Sequence, residues 1–294
     1  MDDLKRALEF LLTPSAPIFI AGAIVVLVVP ILVHLFISRS TPYTNLPSIL
    51  LAGPPGGGKT SLLTLFERGD AAAATHTSQT PQSVELTAST DGGARTYREA
   101  ARDDAPGSHK KFLLVDTPGH GKLRNHAMGS LVGADKSKDQ GPGQKTLKGV
   151  VFVLDAATLV DSLAETAAYL YDILLALQRR TGAGKTSRSP NAVSVLMAAN
   201  KLDLFTALPA SLVRSKLEAE LGRIRQSKSK GLLDSGVGID DIGSEEQDAW
   251  LGEYGSEKFS FGQMREFDIE IDVVGGSVLK GEADKWWDWI VDRI

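Results

Sequence analysis

The sequence predicts an α/β fold: a mostly parallel central sheet flanked by helices, preceded by one transmembrane helix. Three observations carry this. Short apolar runs alternate with stretches of helical periodicity, which implies parallel strands covered on both faces. A Gly-rich loop, Gly53-Pro-Pro-Gly-Gly-Gly-Lys-Thr60, joins the first of these strands to a helix. An almost uninterrupted apolar run, Ala16 to Ile37, lies ahead of both.

That run is long enough to cross a bilayer core, roughly 33 Å at helical rise. His34 is its one titratable group, and Pro30 is a kink that membranes tolerate. A cleaved signal peptide would have a shorter apolar core with a small-x-small site just after it, but Ala21-Gly22-Ala23 lies inside the run. A buried soluble helix would keep some polar residues on its circumference. The expected organisation is therefore a tail (1–15), a transmembrane helix (16–38), a linker (39–46) and a domain (47–294). Lys5 and Arg6 favour a cytosolic N-terminus faintly, whereas a site for a cytosolic nucleotide after the span favours the reverse, and the chemistry is the stronger argument. Net charge of −4 gives no footprint for nucleic acid, so no direct nucleic-acid binding is expected. The absence of cysteine excludes disulfides and zinc-thiolate sites.

Within the domain, Ser48–Ala52 reads as a buried strand and Ser61–Phe66 as the start of a helix. A loop follows to Pro81, then a strand at Ser83–Ala88 and another at Lys111–Asp116. Gly149–Asp155 and Ala192–Ala199 are further apolar strands, and Phe267–Val274 is expected to be the last. Helical spacing covers Thr158–Arg180, Leu212–Ile224 and Ala283–Ile294. Polar insertions are expected near 90–109, 133–148 and 225–262. Trp286, Trp287 and Trp289 on the final helix read as core.

The chemistry lies in loops at the carboxyl ends of the strands. Pro54 and Pro55 lack an N–H, so the amides of Gly56, Gly57, Gly58, Lys59 and Thr60 must form the anion cradle, with Gly53 opening the loop and Ser61 following it. Lys59 would reach the β- and γ-phosphates, and the Thr60 hydroxyl would sit on Mg²⁺. Asp116 ends a strand and is placed to hold Mg²⁺ through a water. Gly119 lets its N–H approach a γ-phosphate, which makes Asp116–His120 a switch. His120 either positions the attacking water or is a solvated loop histidine. Thr75, Thr77, Ser78 and Thr80 all qualify as a further Mg²⁺ ligand, and Thr77 is the choice. Asn200-Lys201-Leu202-Asp203 supplies a base site: Asp203 can accept the two N–H donors of the guanine edge, Asn200 can meet ring acceptors, and the Lys201 stem can lie on the base. A backbone amide near Ser277 or Val278 could bind the guanine carbonyl. Thr181–Ser187 imitates the Gly-rich loop, but Arg179 stands where its first glycine should be.

Gly53–Thr60, Asp116–His120, Asn200–Asp203 and Ser277, in that order, resemble the Ras-like small GTPases. The Gly-His ending of the second motif and the span before the domain narrow the resemblance to the signal recognition particle receptor beta-subunit family. Thr-His-Thr-Ser-Gln-Thr-Pro, Asp-Thr-Pro-Gly-His-Gly-Lys-Leu-Arg and Ala-Ala-Asn-Lys-Leu-Asp-Leu-Phe-Thr-Ala agree with it. The resemblance implies a small-GTPase fold with GTP and Mg²⁺ as cofactors, slow intrinsic hydrolysis, and a single-pass endoplasmic-reticulum protein with its GTPase domain in the cytosol. It further implies that the GTP-bound form holds the N-terminal domain of the receptor alpha subunit, close to the ribosome and translocon. Two other readings fit less well. An AAA-type ATPase would follow the strand-ending Asp116 with an acid and would lack Asn-Lys-x-Asp. An Arf-like vesicle-traffic GTPase would use lipidation or an amphipathic helix, yet Asp2 excludes N-myristoylation.

Overall fold

The computed structural model describes residues 16–40, 46–69, 74–89, 109–133, 146–182, 193–234, 250–252 and 258–294. Two units are distinguished, residues 1–44 and 45–294. In the first, helix α1 (Ala16–Ser40) contains Pro30 and runs two residues past the expected span, taking Arg39 and Ser40 from the expected linker. Its side chains are described only for 22–34, and among the described residues no helix is long and apolar enough to cross a membrane.

The second unit is built on a six-stranded sheet in the order β2-β3-β1-β4-β5-β6. Its strands are β1 (Pro47–Ala52), β2 (Gln82–Ser89), β3 (His109–Asp116), β4 (Thr146–Asp155), β5 (Ser194–Asn200) and β6 (Ile271–Gly275). All neighbours pair in parallel except β2, which runs antiparallel to β3 at the edge. Parallel strands send their carboxyl ends to one edge, and the loops after β1, β3, β4, β5 and β6 gather there.

Side chains alternate across the sheet, so each strand feeds two cores. Ile49 and Leu51 of β1 point to one face, where they meet Leu62 and Phe66 of α2 (Lys59–Arg68) and Trp286 and Ile290. Leu50 and Ala52 point to the other, against Ala127 and Leu131 of α3 (Asn125–Gly133), Leu170 and Leu174 of α4 (Leu163–Gly182), and Leu217 of α5 (Ala210–Asp234). The three tryptophans belong to α6 (Asp284–Val291) and are all buried, as their helical spacing implies. Phe66 and Phe112 pack against the Trp287 ring at 5.2 Å and 5.9 Å.

Several boundaries differ from the sequence expectation. Helix α5 continues ten residues into the supposed 225–262 loop. Its buried stripe of Val213, Leu217 and Leu221 continues with Arg225, whose guanidinium is covered by Trp250 and Phe259 at 5.1 Å and 5.8 Å. A charged residue in an apolar stripe hides the helical period while its aliphatic stem still packs. Phe267 ends a 3-10 helix (Phe261–Phe267) rather than beginning the last strand, because Asp268 takes a left-handed conformation, φ 57°. Strand β4 begins at Thr146 and α3 ends at Gly133, so the middle insertion narrows to 134–145, which lies outside the described residues. Most of the 90–109 and 225–262 insertions, and the Thr181–Ser187 decoy beyond Gly182, also lie outside them. Residues 158–162 form turns before α4 begins at Leu163.

Candidate nucleotide-binding site

The loop after β1 is forced by close packing. Gly53 has φ 134°, and a Cβ there would collide with the Val153 carbonyl oxygen of β4. The chain then turns into α2, whose N-cap, Gly58, also has a left-handed φ (96°) and offers no side chain to the first turn. The first amides of the helix therefore face the cleft unsatisfied, with the positive end of the helix dipole behind them. Lys59 is folded back over this loop, its Nζ donating to the Gly53 and Pro54 carbonyl oxygens at 2.9 Å and 2.8 Å. Burial lowers its pKa to about 8, a shift that Asp116 opposes.

The loop after β3 meets this cradle from the side. The Thr60 hydroxyl donates to Asp116 Oδ2 at 2.6 Å, while the buried Oδ1 has no partner. Burial raises the Asp116 pKa, against the Thr60 hydrogen bond and the Lys59 charge. A half-used buried carboxylate beside a hydroxyl is a suitable donor set for a small hard cation, which takes one or two carboxylates and completes its shell with phosphate and water. Among the described residues there is no cluster of three or more acidic or imidazole ligands, and such a cation does not need one. Gly119 leaves no room for a side chain: a Cβ would lie 2.5 Å from Lys59 Nζ and 2.7 Å from the Gly53 carbonyl oxygen. His120 is exposed, and its Nδ1 accepts from the Lys122 N–H at 3.4 Å.

Residues 75–78 close the cleft, which holds about 170 Å³ between Gly56, Lys59, Thr60, Thr77 and Gly119. Thr77 lines it and is exposed, while the Thr75 hydroxyl lies 2.8 Å from that of Ser61.

At the base end, Asn200 joins three loops. Its Nδ2 donates to the Gly57 carbonyl oxygen at 2.8 Å, and its Oδ1 accepts from the Lys201 and Val278 N–H groups at 2.8 Å and 3.0 Å. The Asp203 carboxylate accepts from the Ser277 hydroxyl at 2.6 Å. The Ser277 N–H is engaged with the Glu282 carbonyl oxygen, and that of Val278 with Asn200. Sequence reasoning did not pick out Asp155 as a site residue. It lies opposite Asn200 in the β4–β5 register, and its Oδ2 pairs with Lys201 Nζ at 2.6 Å. Burial by itself would raise the Asp155 pKa, but the Lys201 ammonium and the Ala157 N–H outweigh it and hold the carboxyl below its ordinary value. The signal was available: an acid ending an apolar strand beside the Asn-Lys-x-Asp strand.

The family model for the signal recognition particle receptor beta subunit matches residues 44–267. The chain belongs to that family. Signal recognition particle receptor subunit beta of Saccharomyces cerevisiae is 30% identical over 250 residues, 84% of each chain. The Mus musculus subunit is 31% identical over 59% of this chain, which spans about half (55%) of that relative's length. Among solved structures, the Chaetomium thermophilum receptor SRb-GTP/SRX complex superposes with a TM-score of 0.69 at 43% identity, covering 84% of this chain and all of that one. The SRb-GDP-Mg structure from the same organism gives 0.62 at 44% identity, covering 86% of this chain.

Proposed function

We propose that this chain is a membrane-anchored, GTP-binding receptor subunit whose triphosphate form holds the N-terminal domain of the receptor alpha subunit at the endoplasmic reticulum. The observation that carries this reading is the meeting of three loops at the carboxyl edge of the sheet: the glycine cradle with Lys59, the Asp116–Gly119 segment, and the Asn200–Asp203 loop, tied to the cradle by the Asn200 hydrogen bond to Gly57 and to Ser277 by Asp203. The amides from Gly56 to Thr60 and the Lys59 ammonium bind phosphates. Thr60 and Asp116 would hold Mg²⁺, with Thr77 or Thr75 completing the cage, and the metal would neutralise phosphate charge. Asp203 selects guanine, because adenine has no matching pair of donors. The two Chaetomium thermophilum structures, one with GTP and one with GDP and magnesium, support the cofactor assignment.

Gly119 is the switch. Its backbone is packed against Lys59 and Gly53, so a γ-phosphate entering there must rearrange these contacts. His120 faces solvent with its Nδ1 accepting from the Lys122 N–H, which supports slow hydrolysis and an anchor role over a turnover role. Helix α1 is the membrane span in this reading: the apolar side chains from Ile24 to Val33 are uncovered all round.

The test uses the full-length protein in nanodiscs and the purified alpha-subunit N-terminal domain. Capture is expected with a non-hydrolysable GTP analogue, not with GDP, and not by Thr60→Asn. Equal capture in both nucleotide states would refute the reading.

A further inference from the structure

Among the described residues, two buried side-chain atoms without a hydrogen-bond partner lie beside one loop, the Asp116–Gly119 segment. Asp116 Oδ1 is the one placed for Mg²⁺ above. The other is the hydroxyl oxygen of Tyr169, on helix α4. Tyr169 is fully buried, its ring packed on Phe152 of β4 at 5.7 Å and covered by the Arg124 guanidinium at 4.5 Å. Arg124 is itself tied to Glu165, one turn earlier on α4, at 2.7 Å. The ring is therefore held from both sides. A phenylalanine would fill the same space without burying an unused hydroxyl, which costs as much as a hydrogen bond left unmade. Packing does not explain the hydroxyl.

The groups that this hydroxyl faces are Thr117 and the Gly53 backbone, with no hydrogen bond of good geometry to either. Burial raises its pKa to about 12, against the Arg124 charge and these two neighbours, so the oxygen keeps its proton and has a donor to offer. The Thr117 hydroxyl gives its own proton to the Leu51 carbonyl oxygen at 2.6 Å, which leaves Thr117 Oγ1 open as an acceptor. Both neighbours belong to loops that a γ-phosphate would disturb. Gly53 opens the cradle, and Thr117 leads into Gly119, which packs so closely on Lys59 and Gly53 that a Cβ would not fit.

We propose that Tyr169 is a positioning residue for the triphosphate state. When a γ-phosphate moves Gly119 away from Lys59 and Gly53, Thr117 shifts with it, and the Tyr169 hydroxyl donates to Thr117 Oγ1. That bond holds the Asp116–Gly119 segment in its loaded arrangement and continues through Thr117 to the Leu51 carbonyl near the end of β1. A diphosphate leaves Gly119 where it is, and the bond is not made. The preference for GTP over GDP thereby gains one buried hydrogen bond. The inference rests on the nucleotide reading above.

The full-length protein in nanodiscs is titrated with GDP and with a non-hydrolysable GTP analogue, each competing against a fluorescent guanine nucleotide. Tyr169→Phe is expected to weaken the analogue about tenfold and GDP less than about twofold. The nucleotide-free Tm should not fall, because the substitution removes a hydroxyl that has no partner in that state. Thr117→Val should cause the same selective loss, and Thr117→Ser, which keeps the hydroxyl, should keep the wild-type ratio. Tyr169→Phe combined with Thr117→Val should lose no more than either alone, since both remove one bond. The two Thr117 variants read that bond from its other end if Tyr169→Phe does not fold. Equal losses for both nucleotides, an unmoved ratio, additive losses in the double variant or a lower nucleotide-free Tm would overturn the inference. Wild-type binding keeps the two readings apart. A wild-type protein that binds no guanine nucleotide refutes the nucleotide reading and this inference with it. Normal wild-type binding with an unmoved ratio in Tyr169→Phe refutes the inference alone.

Discussion

Lys201 and Asp155 form a 2.6 Å ion pair across the carboxyl ends of β5 and β4, at the edge where the base site is built. Lys201 has a left-handed backbone, φ 66°, uncommon for a residue with a side chain. The pair and the Lys201 N–H bond to Asn200 Oδ1 hold that conformation. Asp155→Asn removes the charge that fixes the lysine stem and keeps the shape. Nucleotide release should accelerate roughly tenfold, equivalent to about 1.4 kcal/mol, with thermal stability little changed. Stopped-flow release of a fluorescent guanine nucleotide measures it, and an unchanged rate would remove Asp155 from the site.

Asp203→Asn should lower GTP affinity at least roughly 100-fold, since two hydrogen bonds to a charged acceptor are lost or inverted. Xanthosine triphosphate, whose edge carries an acceptor where guanine has a donor, should bind better than GTP. Ser277→Ala frees the Asp203 carboxylate of its 2.6 Å partner and should weaken both nucleotides by a smaller factor. Competition binding with the two triphosphates decides this.

The loops were the most legible part of the sequence, because Gly53, Asp116 and Asp203 each follow a short apolar run that ends a strand. What stayed hidden has physical causes. The 125–133 helix sets His126, Gly129 and Ser130 among Ala127, Met128, Leu131 and Val132, so its period is weak. Arg225 interrupted the stripe of α5, although aromatic rings cover its guanidinium. Phe267 looked like the start of a strand because only the left-handed turn at Asp268 separates it from β6. Asp155 was read as a strand end because its partner lies 46 residues on.

Asp116→Asn should stabilise the nucleotide-free protein. The buried carboxyl has a folded pKa above its ordinary 3.8, so the nucleotide-free fold loses stability as pH rises through that window, and its Oδ1 is buried without a hydrogen-bond partner. Removing the charge should add about 1–3 kcal/mol and a few degrees in Tm. The extra stabilisation that Mg²⁺ gives to GTP should disappear. Thermal melts with and without Mg²⁺ read both effects, and a lower Tm without nucleotide would contradict the account.

Lys59 carries the opposite titration. Its folded pKa of about 8 lies below the ordinary 10.5, so stability without nucleotide rises with pH between those values, where the unfolded chain binds the extra proton. Phosphate favours the charged ammonium. GTP binding at pH 9 should therefore take up a proton, and binding at pH 6.5 should not. Calorimetry in buffers of different ionisation enthalpy measures the uptake. Lys59→Met should abolish it, and proton release at pH 9 would reverse the assigned role.

The central claim is a guanine site in a triphosphate cradle. The most direct measurement is to purify the full-length protein in detergent without added nucleotide, release whatever is bound by heat, and identify it by chromatography. The account predicts a guanine nucleotide, with GTP prominent if the proposed slow hydrolysis holds. An adenine nucleotide would contradict the role of Asp203 and with it the reading of the whole cleft.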